Sequence, residues 1–167
     1  ISVKNLFLLE DRNNFKGNTS ISFLNENIIF SYLIKDNVIY VESPNNKNQN
    51  IGINSTIELD PFFIDAKIDI NKKDINFLID NLLNIILNYN AEYIGNINGN
   101  LILVLNNLKN SLFNSGVINF SIKEKKIKLE NSSFEILNIG KVQSDFRYYE
   151  NKGDIIFASE NIFEITN

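Results

Sequence analysis

The chain has 167 residues, a net charge of −4, 44% hydrophobic residues, and no cysteine, histidine, methionine or tryptophan. That length and apolar content suit a folded domain or one long sheet, not a disordered chain. Of its 16 cations only Arg12 and Arg147 are arginine, and no basic stripe forms, which argues against a nucleic-acid surface that must neutralise phosphates. Without cysteine there is no disulfide, thiolate nucleophile or zinc-thiolate site, and without histidine the commonest general base and metal ligand are gone. The joint abundance of Asn, Ile, Lys and Phe reads as the codon bias of an AT-rich genome and not as a prion-like tract. Because the chain begins at Ile1 and holds no methionine, it is expected to be an excerpt or a processed product, with any signal peptide or anchor outside it.

Residues 1–17 hold a short apolar run at 6–9 followed by a polar turn, which predicts a strand. From Thr19 the apolar period becomes two. Ile21 and Phe23 share a face, and after Asn25-Glu26-Asn27 the residues Ile28, Phe30, Tyr32 and Ile34 alternate with Ile29, Ser31, Leu33 and Lys35. Asp36-Asn37 is a tight hairpin turn into a strand over 38–42, so this part reads as a meander. The segment SPNNKNQN, 43–50, is a loop by composition. Ile51, Ile53, Ile57 and Leu59 then oppose Asn54, Thr56 and Glu58. After Asp60-Pro61, Phe62, Ile64, Ala66, Ile68 and Ile70 oppose Asp65, Lys67 and Asp69, giving each strand one dry and one wet face. Pro61 belongs at the junction, because it cannot donate to a ladder.

NKKDINFLIDNLLNIILNYN, 71–90, is the one segment with helical spacing. Ile75, Leu78, Ile79, Leu82, Leu83, Ile85, Ile86 and Tyr89 fall in one arc, opposite Asn76, Asp80, Asn81, Asn84 and Asn88. A core-facing amphipathic helix over 72–90 is expected, with Asn71 as N-cap and Asp74 favoured by the helix dipole. Phe77 and Leu87 fall on its polar side. The segment is not a membrane span, since polar residues interrupt it.

Beyond it, Gly95 and Gly99 flank a strand in which Ile97, Leu101, Leu103 and Leu105 share a face. A short helical turn is expected over 108–113. Ile118, Phe120 and Ile122 alternate up to the charged turn Glu124-Lys125-Lys126, and Ile127 and Leu129 continue on the return. Further strands are expected over 134–138, 141–149, 154–159 and 162–165, with a hairpin at Asn151-Lys152-Gly153. Nine or ten strands at about 4.8 Å spacing make a sheet more than 40 Å wide. A helix about 10 to 12 Å across covers two or three of them. The fold class is therefore mainly β: a long bent antiparallel sheet, groove-like or sandwich-like, with one amphipathic helix packed on it, in a single module spanning 1–167.

No phosphate loop, nucleophile elbow or metal-binding spacing is present. The acidic set Asp60, Asp65, Asp69 and Asp74 reads as a solvated strand face, with Lys67 between two of its members. Ser and Thr lack a base to activate them. Neither a cofactor, a metal nor an enzymatic activity is expected. Phe146, Tyr148 and Tyr149 form the only local aromatic cluster, and a closed β-sandwich acting as a binding or adhesion module, or a structural spacer, is the alternative reading.

The run LDPFFIDAKIDI leading into the amphipathic segment, then GNINGNLILVLNNL, then GVINFSIKEKKIKLENSSFEILNIGKVQSDFRYYENKGDIIFASENIFEI, resembles the AsmA-like envelope proteins, the group of AsmA, TamB and YhdP. The resemblance covers roughly residues 51–166. It implies a bent sheet with an apolar concave face, in the periplasm of a Gram-negative-type bacterium, anchored at the inner membrane by a segment outside this chain. It also implies adjoining modules of the same chain, and phospholipids moving with acyl chains shielded along the groove between inner and outer membranes. The lining residues expected from it are Ile53, Ile57, Leu59, Phe62, Ile64, Ile68, Leu101, Leu103, Leu105, Ile118, Phe120 and Ile122.

Overall fold

A computed structural model describes residues 2–9, 14–23, 26–44, 50–72, 74, 98–109, 112–123, 126–151 and 154–165. They form β1 (Ser2–Leu9), β2 (Phe15–Phe23), β3 (Glu26–Lys35), β4 (Val38–Glu42), β5 (Ile51–Leu59), β6 (Phe62–Asn71), β7 (Asn98–Asn106), β8 (Phe113–Lys123), β9 (Lys126–Ile136), β10 (Gly140–Asn151) and β11 (Asp154–Ile165). Each strand pairs with the next in sequence, so among the described residues a single eleven-stranded sheet runs from β1 to β11. Among the described residues the sheet is open, and no second sheet faces it.

Turn chemistry explains much of this meander. Asp36 and Asn37 both have positive φ, 50° and 66°. The tight β3–β4 turn that matches strand twist needs that geometry, which Asp and Asn tolerate. Asp60 and Pro61, joined by a cis peptide, make the β5–β6 turn and keep the proline out of either ladder. One pairing departs from the antiparallel expectation: β6 and β7 run parallel from Phe63↔Asn98 to Asn71↔Asn106. Parallel neighbours need a long return connection, and residues 72–97 intervene.

The helix expected over 72–90 lies outside the described residues at 73 and from 75 onward, and the two described positions at its start, 72 and 74, are not helical. Asn71, expected as its N-cap, is the last residue of β6; Lys72 is left-handed at φ 56°; Asp74 forms a parallel bridge with Lys109. Pairing with the neighbouring strand takes precedence here, since the Lys72 N–H donates to the Asn106 carbonyl at 3.0 Å. Asn107, on the rung matching Lys72, is left-handed too, at φ 51°, so both chains break together and then resume pairing. The helical turn expected over 108–113 lies in part outside the described residues, at 110 and 111; of its ends, Lys109 forms this bridge and Phe113 begins β8. A left-handed lysine costs about 1–2 kcal/mol; glycine relieves that cost in the folded state and loses part of the gain to its greater freedom in the unfolded state. Lys72→Gly is therefore expected to stabilise the chain by about 0.5 kcal/mol, read as a higher denaturant midpoint at unchanged slope.

Two expected strand breaks are absent. β9 is continuous because an extra residue is absorbed at Asn131, φ 55°, where the registers with both β8 and β10 slip. Side chains hold this bulge: the Asn131 N–H donates to Asp145 Oδ1 at 2.6 Å, and Asn119 Nδ2 donates to the Asn131 carbonyl at 2.9 Å. β11 likewise runs through Ser159-Glu160-Asn161 without a turn. The best-buried apolar cluster is Ile70, Leu103, Leu105 and Ile118, centred on the parallel junction, with Leu101, Phe120 and Phe134 among the side chains packed on it.

Candidate functional site

Because paired residues share a face of a pleated sheet, the register assigns every rung to one of two sides. One side carries Ile53↔Ile68↔Leu103↔Ile118, Ile57↔Ile64, Leu59↔Phe62, Leu101↔Phe120 and Ile70↔Leu105. Ile122 joins it opposite Gly99. All twelve residues expected to line a groove thus lie on the same face. Leu103, Leu105 and Ile118 are buried, Leu59 and Phe62 are exposed at 41% and 38%, and the other seven are half-buried.

The same face extends further than those twelve. Toward β1 it takes in Phe15, Phe30, Ile34, Ile39 and Val41; toward β11 it takes in Phe134, Val142, Phe146, Phe163 and Ile165. The signal for the first group was already present in the alternation of residues 28–34. The second group is displaced in phase by the bulge at Asn131.

Charge is segregated with equal clarity. Of all charged residues within the strands, only Glu26 and Glu150 stand on apolar-side rungs, each at a strand tip. The polar side carries the rest, including Lys67 and Asp69, whose Nζ and Oδ1 are 3.6 Å apart. Besides the buried Ser55, opposite Val41 and Ala66, two small hydrogen-bonded polar groups interrupt the apolar side. Near β1, Thr19 Oγ1 donates to Asn5 Oδ1 at 2.8 Å, with the Tyr32 hydroxyl 3.3 Å from Asn5 Nδ2. Toward β11, Ser144 Oγ donates to Asn161 Oδ1 at 2.7 Å, beside the buried Ser132, whose Oγ accepts from the Asn119 N–H. Each group satisfies itself internally, so neither leaves a charged site on that face.

The acidic set does not converge. Asp65 and Asp69 share the polar rungs of β6 with Lys67, Asp60 sits in the turn before β6, and Asp74 lies beyond its other end. Among the described residues no group of three side chains could hold a metal ion, and no helix is long and apolar enough to cross a membrane. The aromatic cluster also divides, since Phe146 and Tyr148 occupy rungs alternate to Tyr149. The clefts formed by described residues open mainly on the polar side. One of about 670 Å³ lies near the ends of β7 to β10 beside Val104, Val117, Glu135 and Lys141; another of about 380 Å³ lies across β1 to β4 beside Leu6, Lys16, Leu33 and Tyr40. What marks the other side is therefore its extent and its freedom from charge except at two strand tips. Comparison with family models, with curated proteins and with solved structures finds no match to this chain.

Proposed function

We propose that the chain is a non-catalytic module of an AsmA-like envelope protein whose apolar sheet face holds phospholipid acyl chains as they pass between inner and outer membranes. The observation that carries this reading is the length of that face: eleven strands with no charged rung except at two tips. Eleven strands of roughly nine residues make a face of about 48 by 30 Å, or about 1,400 Å². Its centre, at Ile70, Leu103, Leu105 and Ile118, is buried, and its exposed apolar side chains lie away from that centre, as at Leu59, Phe62, Phe163 and Ile165. An acyl chain needs only such a lining, and each methylene it buries favours residence by about 0.8 kcal/mol. Head groups would stay in water at the strand ends, where Asn and the tip carboxylates lie. In this reading the module works in the periplasm, beside adjoining modules, in a protein anchored at the inner membrane.

Native mass spectrometry of the purified chain tests it directly. Copurifying phospholipid is the expected result, with occupancy falling severalfold in Phe62→Lys. Phe62 is 38% exposed, so the lysine ammonium can reach water and leave the fold intact while it charges the path of the chains. A lipid-free protein, or unchanged occupancy in that variant, would leave a structural spacer as the better reading.

A further inference from the structure

Along the sequence no basic stripe forms, yet strand pairing gathers a basic cluster on the polar side, and we propose that it is a site for a phosphate-bearing anion. This holds whatever the apolar face carries. The register sets Lys123 of β8 opposite Lys126 of β9, and Lys128 of β9 opposite Arg147 of β10. These are two neighbouring polar rungs. At about 4.8 Å between strands and about 6.8 Å between alternate residues, the four positions fall within about 10 by 7 Å.

Like charges directly opposite one another destabilise a sheet, and the other cations of this one avoid each other. Lys4 faces Ser20, Lys16 faces Leu8 and Leu33, Lys35 faces Val38, and Lys67 faces Asn54 and Ile102. Lys141 stands between Glu135 and Glu164, and Lys109 bridges to Asp74. Among the described pairings, cation meets cation only at this end of β8 to β10, and there it does so on two rungs in succession.

Nearby carboxylates do not discharge the cluster. Glu130 Oε1 lies 3.5 Å from Lys128 Nζ and offsets one charge. Asp145, on the next polar rung from Arg147, accepts the Asn131 N–H on its Oδ1, and Glu160 stands opposite Asp145. Among the described residues no carboxylate is paired with Lys123 or Arg147. Lys123, Lys128 and Arg147 are exposed, and Ser121, opposite Lys128, adds a hydroxyl. Phosphate suits this arrangement better than a carboxylate, because it spreads up to two charges over three oxygens. Several ammonium groups can share it while the guanidinium donates two parallel hydrogen bonds. On a chain of net charge −4 the cluster is a local focus for such an anion.

Calorimetric titration with inorganic pyrophosphate at low salt tests the site, and sedimentation with vesicles identifies the source of the phosphate. The parent is expected to bind pyrophosphate. Lys123→Gln and Arg147→Gln are each expected to weaken binding about fivefold, since each removes a charge that shares the anion. Lys67→Gln, which removes a cation elsewhere on the polar side, should bind like the parent, and circular dichroism checks that all three variants are folded. Phosphatidylcholine vesicles with and without phosphatidylglycerol form the second arm, the pure ones controlling for attraction to the apolar face. Sedimentation that requires phosphatidylglycerol and is lost in Arg147→Gln assigns a lipid head group. Pyrophosphate binding with no preference between vesicles assigns a soluble ester. Binding of neither anion overturns the proposal, as does an Arg147→Gln variant that binds like the parent. A Lys67→Gln variant weakened as much as Arg147→Gln also overturns it, since that would mean diffuse attraction and no site.

Discussion

Leu105→Ala is expected to destabilise the sheet by about 3 kcal/mol, within the range for truncating a leucine that the surroundings cannot collapse around. Leu105 is 1% exposed and packs with Ile70, Leu103 and Ile118 where the two halves of the sheet meet. For a chain of this size each kcal/mol moves the melting temperature by about 2–4 °C, so a fall of about 6–12 °C is expected in a thermal melt. Leu6→Ala is the matched control, because Leu6 is 68% exposed on the polar side of an edge strand. It should stay within about 0.5 kcal/mol of the parent. Equal melting of the two variants would mean that the parallel junction is not where the chain is held together.

Period-two alternation made most of this sheet legible, because each strand buries one side and leaves the other in water. Ile57 against Glu58, or Ile68 against Lys67, declares its side from sequence alone, and the register places both as that pattern requires. Three features were not legible, each for its own physical reason. The bulge at Asn131 shifts the apolar phase from Ile127 and Leu129 to Phe134 and Ile136, which mimics a break between two strands. Ser159-Glu160-Asn161 mimics a turn, yet its polar side chains stay in an extended strand because Ser144 gives Asn161 a partner across the ladder. The parallel step is invisible because β6 and β7 alternate like their antiparallel neighbours, and local pattern does not encode strand direction. The apolar face was legible in its central strands, and its extension to β1 and β11 follows only once pairing order is known.

Gly99→Ala is expected to destabilise the chain by about 1–3 kcal/mol, although it adds a single methyl group. Gly99 is buried on the apolar side opposite Ile64, and a Cβ there would collide with the Ile64 carbonyl oxygen. That oxygen belongs to the backbone of β6, so relief requires the parallel strands to move apart. Each strand of the sheet touches little beyond its immediate neighbours. Among the described residues, coupling between β1–β6 and β7–β11 therefore passes mainly through this junction, as between repeats of a linear array. Gly99→Ala should accordingly lower the denaturant midpoint and broaden the transition toward two steps. Gly52→Ala supplies the contrast one pairing away, since its Cβ would meet only Asp69 Cβ at 3.8 Å, an ordinary contact. There the loss of glycine's unfolded-state freedom prevails, and a gain of about 0.5 kcal/mol is expected. If both variants unfolded in one transition at the parent's midpoint, β6 and β7 would not be joined as closely as the Gly99 contact requires.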